Sequence, residues 1–254
     1  MAKTLFKGLG VLERLAGREE PMGISELAAD LGLAQSNVHR LLQALVQCGY
    51  VQQDPLTRRY RCSMRLWELG ARVSWGMNLP GLARPHMERL VQRCRENVHL
   101  AILDGMDVLY IDKVDGPHVV RLHTRVGGRA PAYCTGSGKA LLACGDDPLA
   151  AFPRKPVRYT SRTIVSPAKF RQALARIRKQ GYAENDGEWL EDVYSIAAPL
   201  FDASGRAPAA IGIAAPMGRM DPETVLRIRP MLLQAAQDIS RDLGFRRQAG
   251  AAAG

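Results

Sequence analysis

Residues 24–61 read ISELAADLGLAQSNVHRLLQALVQCGYVQQDPLTRRYR, and the periodicity and punctuation of this stretch decide the fold of the N-terminal part. Ile24, Leu27, Ala28 and Leu31 fall on one side of a helix of period 3.6, with Ser25 as its expected N-cap and Gly32 as its stop. A second helix over about 35–47 buries Val38, Leu41, Leu42 and Leu45, and Gly49 ends it. Tyr50-Val51-Gln52-Gln53 then alternates as a strand, Asp54-Pro55-Leu56-Thr57 carries turn chemistry, and Arg58-Arg59-Tyr60-Arg61 returns as a second strand. Two short helices joined at Gly32-Leu33 and followed by a basic hairpin suit a helix-turn-helix with a wing, which would lay its second helix in the major groove of DNA; the alternative on pattern alone is a helical subdomain with solvated polar faces and a charged hairpin. The polar positions at the start of that helix are Gln35, Ser36, Asn37, His39 and Arg40. Amides and guanidinium groups read base edges, and hydroxyls reach phosphate. With Ser25, and with Arg58, Arg59 and Arg61 on the wing, they are the candidate DNA contacts.

Working outward, an upstream helix carries Leu5, Leu9, Leu12 and Leu15 on one expected stripe. Downstream, 63–76 is an amphipathic segment with Leu66, Trp67, Leu69 and Val73, and Pro80-Gly81 breaks the chain after it. From 82 the pattern becomes α+β. A helix at 82–96 precedes strands at 98–103, 107–114 and 118–124; helices follow at 137–144 and 167–180. Strands at 193–201 and 208–214 flank a turn at Asp202-Ala203-Ser204-Gly205, a helix closes the domain at 222–243, and RRQAGAAAG is expected to fray. The domains are therefore drawn as 1–62, a linker helix over 63–79, and 80–254.

Composition narrows the function classes. The 254 residues are 46% hydrophobic and 24% charged, globular usage with no apolar run of 18 or more to cross a bilayer. Residues 13 and 14 are charged and no cleavage site follows, so no signal peptide is expected and the protein is placed in the cytoplasm. Five scattered cysteines contain no Cys-x-x-Cys pair, which excludes a disulfide framework and a thiolate zinc site. The net charge of +10 is spread along the chain: residues 1–75 hold 10 basic and 7 acidic groups, so the total does not locate a nucleic-acid domain.

Catalytic motifs fail one by one. Gly136-Ser137-Gly138-Lys139-Ala140 lacks both the upstream glycine and the hydroxyl after lysine of a phosphate loop. Ser137 follows Gly136 but has Thr135 where a nucleophile elbow needs its first glycine. The acidic run 183–192 lacks calcium-loop spacing, and its Asn185-Asp186-Gly187 core reads as a turn. The five histidines form no paired metal motif, so no metal and no cofactor are expected. Gly136-Ser137-Gly138 opens a helix, whose free N–H groups and positive dipole end suit a carboxylate, although the same glycines also suit simple helix entry beside a tight strand. Lys139 reads as solvated or structural.

The 24–61 run resembles the winged helix-turn-helix of the IclR family of bacterial transcription regulators. It keeps Glu26-Leu27-Ala28, Gly32-Leu33, Ser36, Val38, Arg40-Leu41-Leu42, Gly49-Tyr50-Val51 and Tyr60-Arg61; Asn37 replaces a usual threonine and Cys62 a usual leucine. RVGGRAP (125–131), GSGKALLA (136–143), SIAAPLFDASG (195–205) and AAIGIAAP (209–216) extend the resemblance in order over nearly the whole chain. The resemblance implies a C-terminal GAF/PAS-like antiparallel sheet with flanking helices that binds a small organic acid. Reading two half-sites of a double-stranded operator then calls for a homodimer or dimer of dimers, and with no catalytic constellation left, no enzymatic activity is expected. Carried over by motif, the effector positions are Gly136, Ser137, Asn185, Ser195, Gly212 and Ala214. Asn185 stands where an acid is usual, Ser195 where a cysteine is, and Gly212 and Ala214 where two serines are. These exchanges remove polar groups and suggest extra volume for a less polar acid such as an aromatic carboxylate, with Tyr133 and Trp189 as candidate walls. The rival expectation is an enzyme acting on a small metabolite, with an N-terminal docking module.

Overall fold

A computed structural model describes residues 2–75, 79–119, 125–147, 149 and 152–246. The chain divides into two compact units, Met1–Asn78 and Leu79–Gly254. The first unit takes in the segment drawn from sequence as a linker.

In the first unit, α1 (Ala2–Ala16), α2 (Ile24–Leu31) and α3 (Gln35–Gln47) precede a two-stranded antiparallel hairpin, β1 (Val51–Gln53) and β2 (Tyr60–Cys62), and then α4 (Arg65–Trp75). The core joins Val11 and Leu15 of α1 to Leu27 and Ala28 of α2 and to Val38, Leu41 and Leu42 of α3. The expected stripe of α1 is thus displaced: Val11 and Leu15 are buried, while Leu5 and Leu9 are exposed alongside Phe6. Gly32 lies at φ +62° and caps α2, and the Leu33 amide donates to the Ala28 carbonyl at 3.0 Å. Such a left-handed turn suits glycine and sets the sharp angle between α2 and α3.

The N-cap of α2 is Gly23, not Ser25, which sits inside the first turn. The Glu26 carboxylate accepts the Gly23 amide at 3.0 Å, reaching back from the third helical position as a capping side chain does, so serine is not needed there. β2 begins at Tyr60, so Arg58 and Arg59 belong to the loop and not to the returning strand. Arg58 adopts φ +59°, and Asp54 Oδ1 accepts the amides of Leu56 and Thr57 at 2.9 and 2.8 Å, which shapes the turn.

In the second unit, α5 (Leu79–Cys94) leads into β3 (Asn97–Asp104), β4 (Asp107–Val114) and β5 (Arg129–Pro131). Next come α6 (Gly136–Cys144), α7 (Pro167–Gln180), β6 (Ala183–Asp186), β7 (Val193–Leu200), β8 (Ala209–Pro216) and α8 (Pro222–Asp242). The six strands form one antiparallel sheet in the order β5-β4-β3-β8-β7-β6. Period two divides β8: Ile211 and Ile213 pack with α5 and α8, while Ala210, Gly212 and Ala214 face the other way, toward α6. Both faces are therefore covered, one by α5 and α8 and the other by α6 and α7.

Four further differences have local causes. Pro80 does not break the chain; it lies in the first turn of α5, where its missing N–H has no helical acceptor anyway. Asn185 and Asp186 are strand residues paired with Ser195 and Tyr194, and only Gly187, at φ +68°, makes the turn. The sequence missed β5 and β6 because at three and four residues they are too short for alternation to show. Of the strand expected at 118–124, residues 118–119 form no ladder and 120–124 lie outside the described residues, as does the tail from 247. No helix among the described residues is long and apolar enough to cross a membrane.

Candidate functional site

Two regions gather the chemistry. On the first unit, α3 buries Val38, Leu41 and Leu42 and turns Gln35, Ser36, His39 and Arg40 outward. Asn37 is half-buried, and its Oδ1 accepts from the Arg40 guanidinium at 3.2 Å, so these two polar groups on the exposed face act as a pair. Ser25, Arg58 and Arg61 are exposed. Arg59 is different: its guanidinium donates to both Glu26 carboxylate oxygens (2.8 and 2.7 Å) and to the Pro21 carbonyl (2.8 Å). That clamp holds the hairpin loop to the start of α2 and lowers the Glu26 carboxyl below its usual range, after the larger contribution of the Gly23 amide. Arg59 therefore positions the wing, and a phosphate contact from it would compete with these bonds.

On the second unit, a cavity of about 270 Å³ lies at the N-terminus of α6, just below the range of roughly 300–1,000 Å³ that drug-sized ligands occupy. Gly136, Ser137, Asn185, Trp189, Ser195 and Ala214 all line it. Thr135 caps α6: its hydroxyl accepts the Gly138 amide at 3.3 Å, while its carbonyl accepts the Lys139 amide at 3.0 Å. The amides left at the head of the helix are those of Gly136 and Ser137, beside the cavity. Close approach makes this possible. A Cβ on Gly136 would lie 2.8 Å from Ser195 Oγ, and one on Gly138 would lie 2.1 Å from the Ala132 carbonyl oxygen. Asn185 Oδ1 accepts the Glu188 amide at 2.8 Å, so the rest of that carboxamide is an NH2 donor. Arg125 and Arg129 also line the cavity, Arg129 being paired with Asp104. Amide, hydroxyl and guanidinium donors together suit an anion.

Two sequence expectations are corrected. Tyr133 is not a wall: it packs edge-on to Phe152 at 5.7 Å and donates its hydroxyl to the Val157 carbonyl at 2.6 Å, within the core around α6 and α7. Gly212 adds no cavity volume either. A Cβ there would lie 2.4 Å from His99 Nε2, because the His99 ring of the neighbouring strand fills the space. Of the two readings of Lys139, solvated or structural, the structure shows the second: it forms a buried ion pair with Glu188 that ties α6 to the segment carrying Trp189.

The sequence missed two cavity residues of consequence, His99 and Tyr110. His99 Nε2 lies 2.8 Å from Ser137 Oγ, and the ring stands edge-on to Tyr110 at 5.1 Å. Burial lowers the His99 pKa to about 4 and raises that of Tyr110 to about 12, so both are neutral at neutral pH. An imidazole held so low is a poor general base, whose pKa should lie near the working pH, so the Ser137–His99 contact does not make an activated nucleophile. The signal available was alternation: within 97–104, His99 shares a face with Ala101, but nothing in the sequence says that α6 covers that face. A larger depression of about 830 Å³, between α7 and α8, is lined by Arg178, Lys179, Gln180, Gln237, Ser240 and Arg241 among apolar side chains. Arg178 already donates to the Ala143 and Gly145 carbonyls, Ser240 to the Ala236 carbonyl and Gln180 to the Tyr182 carbonyl, and Arg241 pairs with Asp238.

Comparison with known proteins agrees with this geometry. Residues 4–55 match the IclR helix-turn-helix domain, and residues 72–241 match the C-terminal domain of the bacterial transcriptional regulator IclR. The HTH-type transcriptional regulator KdgR of Escherichia coli is 35% identical over 95% of this chain and 93% of its own length. The transcriptional repressor IclR of the same organism is 31% identical over 95% and 90%. Among solved structures, an IclR homologue from Microbacterium hydrocarbonoxydans complexed with 4-hydroxybenzoate superposes with a TM-score of 0.82 at 30% identity, covering 94% of this chain and 98% of that one. With a DNA-reading unit and an effector-binding unit both matched in order, the chain belongs to the IclR family of bacterial transcriptional regulators.

Proposed function

We propose that this regulator senses a small aromatic carboxylate in the cavity at the head of α6 and transmits occupancy to operator binding. One observation carries the reading: the Gly136 and Ser137 amides, the Ser137 and Ser195 hydroxyls and the Asn185 carboxamide belong to residues that line one cavity with Trp189 as an aromatic wall. The carboxylate sits on the two amides, and the ring packs toward Trp189, Leu190 and Val193. The 4-hydroxybenzoate bound by the Microbacterium relative supports that ligand class.

Operator recognition rests on Gln35, Ser36, Asn37, His39 and Arg40 of α3, with Ser25, Arg58 and Arg61 at the backbone. Two half-sites about one helical turn apart require at least a homodimer. Leu5, Phe6 and Leu9 of α1 and Trp67 of α4, all exposed in a single chain, support such an assembly. The helix α4 is the connecting element, and allostery follows if the acid binds the DNA-competent and DNA-incompetent states with different affinity.

The test has two arms. Thermal shift of the full-length protein should show stabilisation by benzoate and 4-hydroxybenzoate and little by glyoxylate; the reverse order refutes the aromatic reading. Binding to DNA flanking the protein's own gene should weaken in Arg40→Ala. Loss of a base-edge contact relaxes sequence preference, and an unchanged affinity and salt slope would refute the docking of α3.

A further inference from the structure

His99, Ser137 and Gly212 form a packed trio at the floor of the cavity, on β3, α6 and β8. His99 is directly opposite Gly212 in the β3–β8 ladder, and its ring fills the space a side chain at 212 would need. Its Nε2 contacts Ser137 Oγ at 2.8 Å, while its Nδ1 is buried with no hydrogen-bond partner among the described residues. A neutral imidazole carries one N–H, so one of two tautomers leaves a buried N–H unsatisfied and the other leaves only a lone pair. Orphaned buried N–H groups are the rarer and costlier of the two. The proton therefore belongs on Nε2, which donates to Ser137 Oγ. The hydroxyl of Ser137 then has its own proton left to give, and only an acceptor can take it.

We propose that His99 is the specificity-determining residue of the effector cavity. It fills the floor beside Gly212, and it turns the Ser137 hydroxyl into a donor aimed at a carboxylate whose ring must extend toward Trp189. The inference rests on the cavity being the effector site. A floor filled by an imidazole leaves a two-carbon acid without side contacts, whereas a planar aromatic acid spans from the amides of α6 to the far wall. His99→Leu keeps bulk but removes the donor, freeing Ser137 to point its proton elsewhere. His99→Gln keeps an N–H near the position of Nε2.

The experiment is calorimetric titration of the full-length protein with benzoate, 4-hydroxybenzoate and glyoxylate, combined with thermal unfolding of each variant. Benzoate affinity should fall about tenfold in His99→Leu, the loss of one hydrogen bond to a charged group, and stay within about threefold of wild type in His99→Gln. Gly212→Ser should unfold at lower temperature in the wild-type background, because its Cβ meets the imidazole, but be tolerated in His99→Ala. That double variant should lower the benzoate-to-glyoxylate affinity ratio by at least tenfold. Unchanged benzoate affinity in His99→Leu, or equal tolerance of Gly212→Ser in both backgrounds, overturns the role of His99 while leaving the effector site standing. Failure of the wild-type protein to bind any of the three acids refutes the effector site itself, and this inference with it.

Discussion

Replacing Lys139 by methionine tests how the cavity is held together. Lys139 and Glu188 are only 3% and 8% exposed, and they pair across the gap between α6 and the segment after β6. The second carboxylate oxygen of Glu188 has no hydrogen-bond partner, so the lysine alone compensates its charge among the described residues. Lys139→Met strands that carboxylate in a buried site, which costs about 3–5 kcal/mol. For a domain of this size each kcal/mol moves Tm by roughly 2–4 °C, giving a fall of about 6–20 °C. Removing both charges in Lys139→Met/Glu188→Leu should return stability to within about 1 kcal/mol of wild type or above it, since apolar replacement of a buried pair is often neutral or favourable. Thermal and urea unfolding followed by tryptophan fluorescence would measure both, Trp189 being adjacent to Glu188. A double variant as unstable as the single one would refute the reasoning, because the loss would then come from packing and not from an uncompensated charge.

Other substitutions separate backbone from side-chain constraints. Gly138→Ala forces a Cβ to 2.1 Å from a carbonyl oxygen and 2.4 Å from a Cα, neither of which can rotate away, so a loss of about 3 kcal/mol or more is expected by urea unfolding. Gly136→Ala meets the rotatable Ser195 Oγ at 2.8 Å; it should cost about 1 kcal/mol in stability yet abolish benzoate binding by calorimetry. Arg58→Gly relieves a left-handed residue on the wing and should stabilise the fold by up to about 1 kcal/mol while weakening DNA binding and reducing its salt slope. The His99 pKa is depressed to about 4 against an unfolded value near 6.5, so between these pH values the unfolded chain binds the extra proton. Its contribution is complete above pH 6.5 and is lost as pH falls toward 4, about 3 kcal/mol in all. His99→Gln should flatten that part of the stability–pH curve; an unchanged slope would refute the burial of a neutral imidazole.

How much of this was legible follows from range. Elements defined by near neighbours were readable: α7 is bounded by Pro167 and by Gly181 at φ +80°, and its limits match the sequence expectation of 167–180. Gly32, Gly49 and the Asp54 turn likewise act within a few residues. What escaped depends on partners far along the chain. Ser25 is a better cap than glycine in isolation, but Glu26 and Arg59, 33 residues apart, settle the matter between them. The faces of α1 were misjudged because Leu5, Leu9, Leu12 and Leu15 form one apolar stripe while Val11 begins another. Only the packing of α2 and α3 chooses which is buried.

The cavity shows the same limit in sharper form. Its helix end and its glycines could be read, since free amides and small residues are local properties. The consequence of Gly212 could not, because a deleted side chain yields volume only if no neighbour enters it. Here the neighbouring strand places a histidine opposite the glycine, so the deletion exchanges one polar group for another. The selectivity proposed for the cavity thus depends on a pair of positions 113 residues apart, His99 and Gly212. Neither carries it alone: without the glycine the ring does not fit, and without the ring the glycine is a void beside Ser137.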